Sequence, residues 1–225
     1  NKGEFPFLKN DIIAYSGNTG FSFGPHLHFE LRDEKGNILN PLTNGMNQPD
    51  RLAPIVEEVG LTPLNNNSWV NGSQLPQNFH VFRDKKGEYH LADTINTYGK
   101  VGLSVKTYDK REGANNKYQP HRIEVYLNNK LYHYLEFEEL SYDFQTTSNF
   151  ISDYRNSRLN LGNFVKLYKN YGDPDAPVHS QETDGAFDAA NDCVAIPVER
   201  FKGFTNTVSY THLRAHETRE DRVWR

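Results

Sequence analysis

Val101-Gly102-Leu103-Ser104-Val105-Lys106-Thr107-Tyr108 alternates apolar residues with small or polar ones, with a period of two. That is the repeat of a strand, whose successive side chains point to opposite faces, and not the 3.6-residue repeat of a helix. Val101, Leu103 and Val105 make a face fit for a core. Gly102, Ser104 and Lys106 make the other. The same alternation returns in Ile123, Val125 and Leu127, and Asn128-Asn129 then turns the chain into a strand over 131–137. Upstream, apolar runs at 79–82 and 89–91 flank Asp84-Lys85-Lys86-Gly87, a hairpin signal. Pro54 precedes a further strand at 55–61, and a late strand is expected at 194–198. Residues 146–168 leave room for one short helix, and the Gly-, Asp- and Pro-rich run 170–192 reads as an irregular excursion. Short strands at this spacing predict an all-β chain, with a β-sandwich of immunoglobulin-like outline at its centre.

Composition agrees. The chain has 225 residues, with 13 Tyr and 14 Phe, residues that favour strands. Its length allows one or two domains with a real core. The formal net charge of -4 gives no argument for nucleic acid or for an anionic membrane surface. No run of 18 apolar residues is present, so no membrane span is expected. Cys193 has no second cysteine to pair with and reads as a small apolar residue. A lone cysteine does not decide the compartment.

The Asn-, Gly- and Pro-containing run 43–53 reads as a linker. The expected division is therefore 1–48, then a β-sandwich accessory domain over 49–207, then a tail over 208–225. The tail differs in style from everything before it. Val208-Ser209-Tyr210-Thr211-His212-Leu213-Arg214-Ala215-His216-Glu217-Thr218 resembles a translated sequencing adapter, so 208–225 is set apart from functional reasoning. With no selected packing to tie it down, the tail is expected to bury little.

Chemistry concentrates near the start, in Gly24-Pro25-His26-Leu27-His28-Phe29-Glu30. Read as a strand, it puts His26, His28 and Glu30 on one face and Leu27, Phe29 and Leu31 on a core face. Zinc takes neutral imidazole as a ligand, and a second imidazole beside it can move a proton. Spacing alone leaves a plainer reading open, since His-x-His also occurs in ordinary half-buried strands. Around it, 11–15 reads as a short buried strand. Asp33-Glu34-Lys35-Gly36-Asn37 closes a hairpin into Ile38-Leu39, and Asn40-Pro41-Leu42 ends the unit.

Residues 11–31 as a whole, from Asp11-Ile12-Ile13-Ala14-Tyr15-Ser16-Gly17-Asn18-Thr19-Gly20 through the histidine strand, resemble the C-terminal signature of lysostaphin-type (LytM-like) zinc metallopeptidases. The resemblance covers about residues 1–45. It implies a remnant of an antiparallel β-sheet catalytic domain, a zinc metalloendopeptidase, Zn2+ as the metal, and peptidoglycan peptide cross-links as the substrate. It also implies a bacterial cell-envelope location, with any signal peptide upstream of this chain. It makes His28 a zinc ligand and His26 a catalytic residue near the attacking water. Glu30 is a candidate for orienting a histidine from behind the metal, or equally a salt-bridging surface residue. The family carries two more ligands in an upstream His-x-x-x-Asp segment, with a further catalytic histidine between. No histidine precedes His26 here. Catalytic zinc needs about three protein ligands and an open position. The chain is therefore expected to be the C-terminal part of the catalytic domain, inactive as a fragment.

Two other functions remain open at this point. One is a non-catalytic LytM-like activator of wall hydrolases, although such relatives tend to lose the two histidines kept here. The other is a binding role carried by 49–207. His80 and Asp84 fit His-x-x-x-Asp formally, but on a strand residues four apart lie about 13 Å apart, too far to share one ion. His90, His121, His133 and His179 read as surface or cross-strand residues. His212 and His216 imitate a helical zinc pair inside the tail that is set apart.

Overall fold

The computed structural model describes residues 7–18, 23–25, 28–45, 51–113, 115–127, 130–141, 148–170, 172–173, 185–196, 202–204 and 207–213. The chain is all-β, as its alternation predicts. The strands are β1 (Leu31–Arg32), β2 (Ile38–Leu39), β3 (Ile55–Pro63), β4 (Trp69–Val70), β5 (Gln77–Arg83), β6 (Tyr89–Leu91), β7 (Ile95–Tyr108), β8 (Arg122–Leu127), β9 (Lys130–Glu136) and β10 (Glu139–Leu140). A 3-10 turn at Ser148–Ile151 and the short helix α1 (Tyr154–Arg158) follow, in the region where one helix is expected. Then come β11 (Val165–Lys166), β12 (Phe187–Ile196), β13 (Lys202–Phe204) and β14 (Thr207–Leu213).

Three sheets result. The largest runs β11-β7-β3-β5-β6, with β12 and β4 also paired to β7. A second runs β13-β14-β8-β9, and a small one runs β1-β2-β10. Pairing is antiparallel except for β14, which lies parallel to β8 with Val208 opposite Ile123. The segment set apart in the sequence thus contributes a strand, and 214–225 lie outside the described residues. The two larger sheets share one core, in which Val59, Leu61, Val101, Leu103 and Val105 meet Ile123, Val125 and Leu135. Burying each such side chain contributes about 1.5–3 kcal/mol.

Both faces of β7 are covered over Gly102 and Ser104. Gly102 and Ser104 are buried too, because the segment Phe164 to Tyr168 lies over them. A Cβ added to Gly102 would stand 2.6 Å from the Tyr168 ring, so only glycine leaves room for it. Alternation reports which residues are small as readily as which are wet. Here the small residues admit a covering layer.

Tyr168 is 4% exposed. Burial pushes its phenol up to about 12, the Asp153 and Asp173 carboxylates add to this, and a hydrogen bond with Thr62 works against it. The folded state therefore holds the neutral phenol. That contribution is fully present below the unfolded value near 10 and is lost as pH rises through about 12, a linkage of about 3 kcal/mol. In an alkaline titration, one tyrosinate absorbance step should coincide with unfolding and vanish in Tyr168→Phe. Ionisation of Tyr168 near 10 in a still-folded chain would contradict this packing.

The region before β1 differs from expectation. Residues 11–16 carry no strand, and Ile12, Ile13 and Tyr15 are 75%, 70% and 88% exposed. Residues 28–30, read as part of the histidine strand, are not strand either, and Phe29, expected on a core face, is 54% exposed. A strand holds its apolar face only when another layer covers it, and among the described residues none covers these.

Candidate functional site

The histidine stretch enters the fold through a tight hairpin. Asp33 Oδ1 accepts from the backbone N–H of Lys35 at 2.9 Å and of Asn37 at 2.8 Å, which fixes the turn between β1 and β2. β2 then pairs with β10, placing Leu39 opposite Glu139. The Asn40 N–H donates to the Glu138 carbonyl at 2.9 Å, and Asn40 Nδ2 donates to the Phe137 carbonyl at 3.1 Å. The expected first unit is thus tied by backbone pairing to a strand of the second.

Ahead of β1, the structure brings His28 and Glu30 together. His28 Nε2 lies 2.7 Å from Glu30 Oε1, and Arg32 Nε donates to Glu30 Oε2 at 2.8 Å. The His28 bond, then the Arg32 bond, hold the Glu30 carboxyl below the usual carboxylate range, against a smaller opposing effect of burial. An ionised carboxylate can only accept, so Nε2 of His28 must donate. In the neutral ring, Nδ1 then carries the lone pair. This is the tautomer a metal-binding imidazole uses when a carboxylate orients it. The i, i+2 spacing made this pair visible in the sequence. Leu27 and His26 lie outside the described residues, so the role expected of His26 is neither placed nor displaced.

A second cluster was not anticipated as a unit. Oxygen and nitrogen atoms of Asp84, Glu88 and His90 lie within 4.8 Å of one another, with His90 Nε2 3.1 Å from Asp84 Oδ2. The β5–β6 hairpin brings them together, since Phe82 pairs with His90 across it. His80, the residue that pairs formally with Asp84 by spacing, is not in the group. Asp84 Oδ1 is already committed to the turn, accepting from the N–H of Lys86 at 2.8 Å and of Glu88 at 2.9 Å. The Glu88 bond is the main reason that its carboxyl sits below the usual range. The cluster's first task is therefore to cap its own turn. The pattern Asp84-x-x-x-Glu88-x-His90 could have signalled it, had the two arms been read together across the turn.

A cavity of about 350 Å³ lies at the seam between the β1-β2-β10 sheet and the larger body, bordered by Asn40, Leu42, Asp109, Arg111, Tyr118 and His121. Asp109 is buried, and its backbone exchanges hydrogen bonds of 2.8 and 2.9 Å with that of Tyr118. His121 Nε2 meets Glu138 Oε2 at 3.0 Å. No sequence spacing links these residues. Among the described residues, no helix is long and apolar enough to cross a membrane. Comparison with protein-family models, with curated proteins and with solved structures returned no match.

Proposed function

We propose that this chain carries the C-terminal part of a LytM-type zinc metalloendopeptidase acting on peptidoglycan peptide cross-links in the bacterial cell envelope, joined to an immunoglobulin-like β-sandwich module over 49–207. The observation that carries the reading is the His28–Glu30 pair, 2.7 Å apart and braced by Arg32. It leaves Nδ1 of the His28 ring as a possible ligand atom, and imidazole nitrogen is one of the donors zinc takes. Zinc, when bound, would polarise the scissile carbonyl and make its water acidic.

The residues' own roles follow. His28 would hold the ion through its ring nitrogen. Glu30 would fix the tautomer and the ring plane. His26 would accept a proton from water or steady an oxyanion. By the resemblance the chain supplies one zinc ligand, and affinity comes from several ligands held together. The 225-residue chain alone is therefore expected not to cleave peptidoglycan or glycine-rich peptides.

The test uses the natural gene product that contains this chain, with zinc content and peptidoglycan cleavage measured side by side. His28→Ala should lose the metal. Glu30→Gln should keep the fold and weaken zinc binding about 10–100-fold, the scale for a group that orients a ligand. His26→Ala should keep the metal and lose roughly a hundredfold or more in turnover. Unchanged zinc content in His28→Ala, or full activity in His26→Ala, would refute the assignment.

A further inference from the structure

A second cleft lies beside α1, away from the histidine stretch in the chain. Its cavity of about 450 Å³ is within the usual range for small-ligand sites. Four charged residues border it: two carboxylates, Asp153 and Asp173, and two cations, Arg155 and Lys166. Their formal charges cancel. The cleft is polar without being charged overall.

Lys166 is only 6% exposed. Its ammonium has three N–H donors. One goes to Asp173 Oδ2 at 3.0 Å. Asp173 Oδ2 also accepts from the Asn170 N–H at 2.8 Å, which leaves Oδ1 as an acceptor beside the remaining lysine donors. A buried donor beside a partly exposed acceptor matches a group that both gives and takes a hydrogen bond, as a hydroxyl does. Vicinal hydroxyls would satisfy both at once.

The aromatic residues complete the description. Phe150 and Tyr154 border the cavity and are 42% and 73% exposed. Tyr154 also borders a neighbouring cavity of about 710 Å³, lined further by Gln119, Ser157 and Asn163. An exposed ring thus stands between two polar hollows. The negative face of an aromatic ring attracts groups with partial positive charge, such as the C–H face of a sugar ring, and the phenol hydroxyl stays in water.

We propose that this cleft binds a neutral oligosaccharide, with Tyr154 as the stacking platform between two sugar positions and Lys166 with Asp173 as the hydroxyl partners. α1 is held for this role by a buried network. Asp153 Oδ1 caps the Asn156 N–H at 3.0 Å, and Asn78 Nδ2 of β5 donates to Asn156 Oδ1 at 2.8 Å. The platform is therefore fixed to the central sheet. This proposal stands independently of the peptidase reading and survives if that reading fails.

The test presents the 225-residue chain to an array of neutral tri- and tetrasaccharides and titrates the strongest by calorimetry, with inorganic phosphate and acetate as anionic probes. At least one neutral oligosaccharide should bind saturably. Tyr154→Ala should weaken it at least tenfold with an unchanged circular-dichroism spectrum, because that side chain is largely exposed. Lys166→Met should do the same, and Lys166→Arg should recover part of the loss. Absence of binding to every neutral saccharide on the array would overturn the proposal. So would unchanged affinity in Tyr154→Ala, or displacement of the sugar by phosphate.

Discussion

Phe164→Ala is expected to lower the unfolding free energy by about 3–5 kcal/mol, the range for emptying a buried aromatic site. Phe164 is 1% exposed and is the largest fully buried side chain among the described residues. It covers the face of β7 that carries Gly102, Ser104 and Lys106. A Cβ added to Gly60 would already stand 3.5 Å from the Phe164 ring and would clash with Ser104 Oγ. The ring also sits 5.9 Å below Lys106 Nζ, which is held at 2.7 Å by Glu58. That Glu58 bond is the main cause that raises the lysine's pKa. The Phe164 carbonyl accepts from the Asp153 N–H at 2.9 Å, so the same residue anchors the approach to α1. Total stability for a domain is about 5–15 kcal/mol, so the loss is a large fraction of it. Urea unfolding should show a lower midpoint with unchanged slope. Phe164→Leu, which refills most of the volume, should cost less than about 1.5 kcal/mol. A loss below about 1 kcal/mol in Phe164→Ala would mean that the segment does not cover the sheet.

Why this layer escaped the sequence is a matter of distance along the chain. Val101, Leu103 and Val105 declare one face of β7 by themselves, because a period of two needs only neighbours to be seen. Gly102 and Ser104 are ambiguous until Tyr168 and Phe164 arrive from far downstream. Small residues on a strand face suit open solvent and close packing equally. The hairpins were legible because Asp33 and Asp84 act within four residues, taking backbone N–H groups of their own turns. Residues 11–15 mislead for the opposite reason. Ile12 and Ile13 have the composition of a strand, but a ladder needs a partner and a cover, which composition does not supply.

The sites divide in the same way. His28 and Glu30 meet because they are two apart, and their pairing was open to inspection before any fold was known. Asp84, Glu88 and His90 meet only once the β5–β6 register is fixed. The cleft at Tyr154 gathers Thr62, Pro76, the 150–155 turn and the strand at Lys166. Nothing local joins those positions; the order β11-β7-β3-β5 does. Residues that act through neighbours in sequence can be read in advance. Those that act through neighbours in a sheet cannot.

Gly185→Ala should destabilise the chain by about 3 kcal/mol or more, from two additive causes. Gly185 has φ +73, the left-handed region, where a side chain costs about 1–2 kcal/mol. Its surroundings add a second cost. A Cβ there would clash with the Leu167 carbonyl, and would stand 2.9 Å from Tyr168 Cα and 3.0 Å from His133 Cδ2. Two of those neighbours are backbone atoms, which cannot swing away as a side chain end can, and overpacking of this kind costs about 1–3 kcal/mol. The position also matters for assembly. Next to it, the Ala186 carbonyl accepts from Tyr132 Oη of β9 at 2.6 Å, so the entry to β12 is clamped between the two large sheets. Pushing residue 185 outward would loosen that clamp and the Phe187 pairing with Val101 that follows it. Gly36 provides the control. Its φ of +88 is as unusual, but nothing lies within 4 Å of an added Cβ. Gly36→Ala should therefore show the backbone cost alone, about 1–2 kcal/mol. Both variants are compared by urea unfolding under one set of conditions. Equal losses would mean that the crowding at Gly185 is relieved at no cost, and the clamp between the sheets would have to be abandoned.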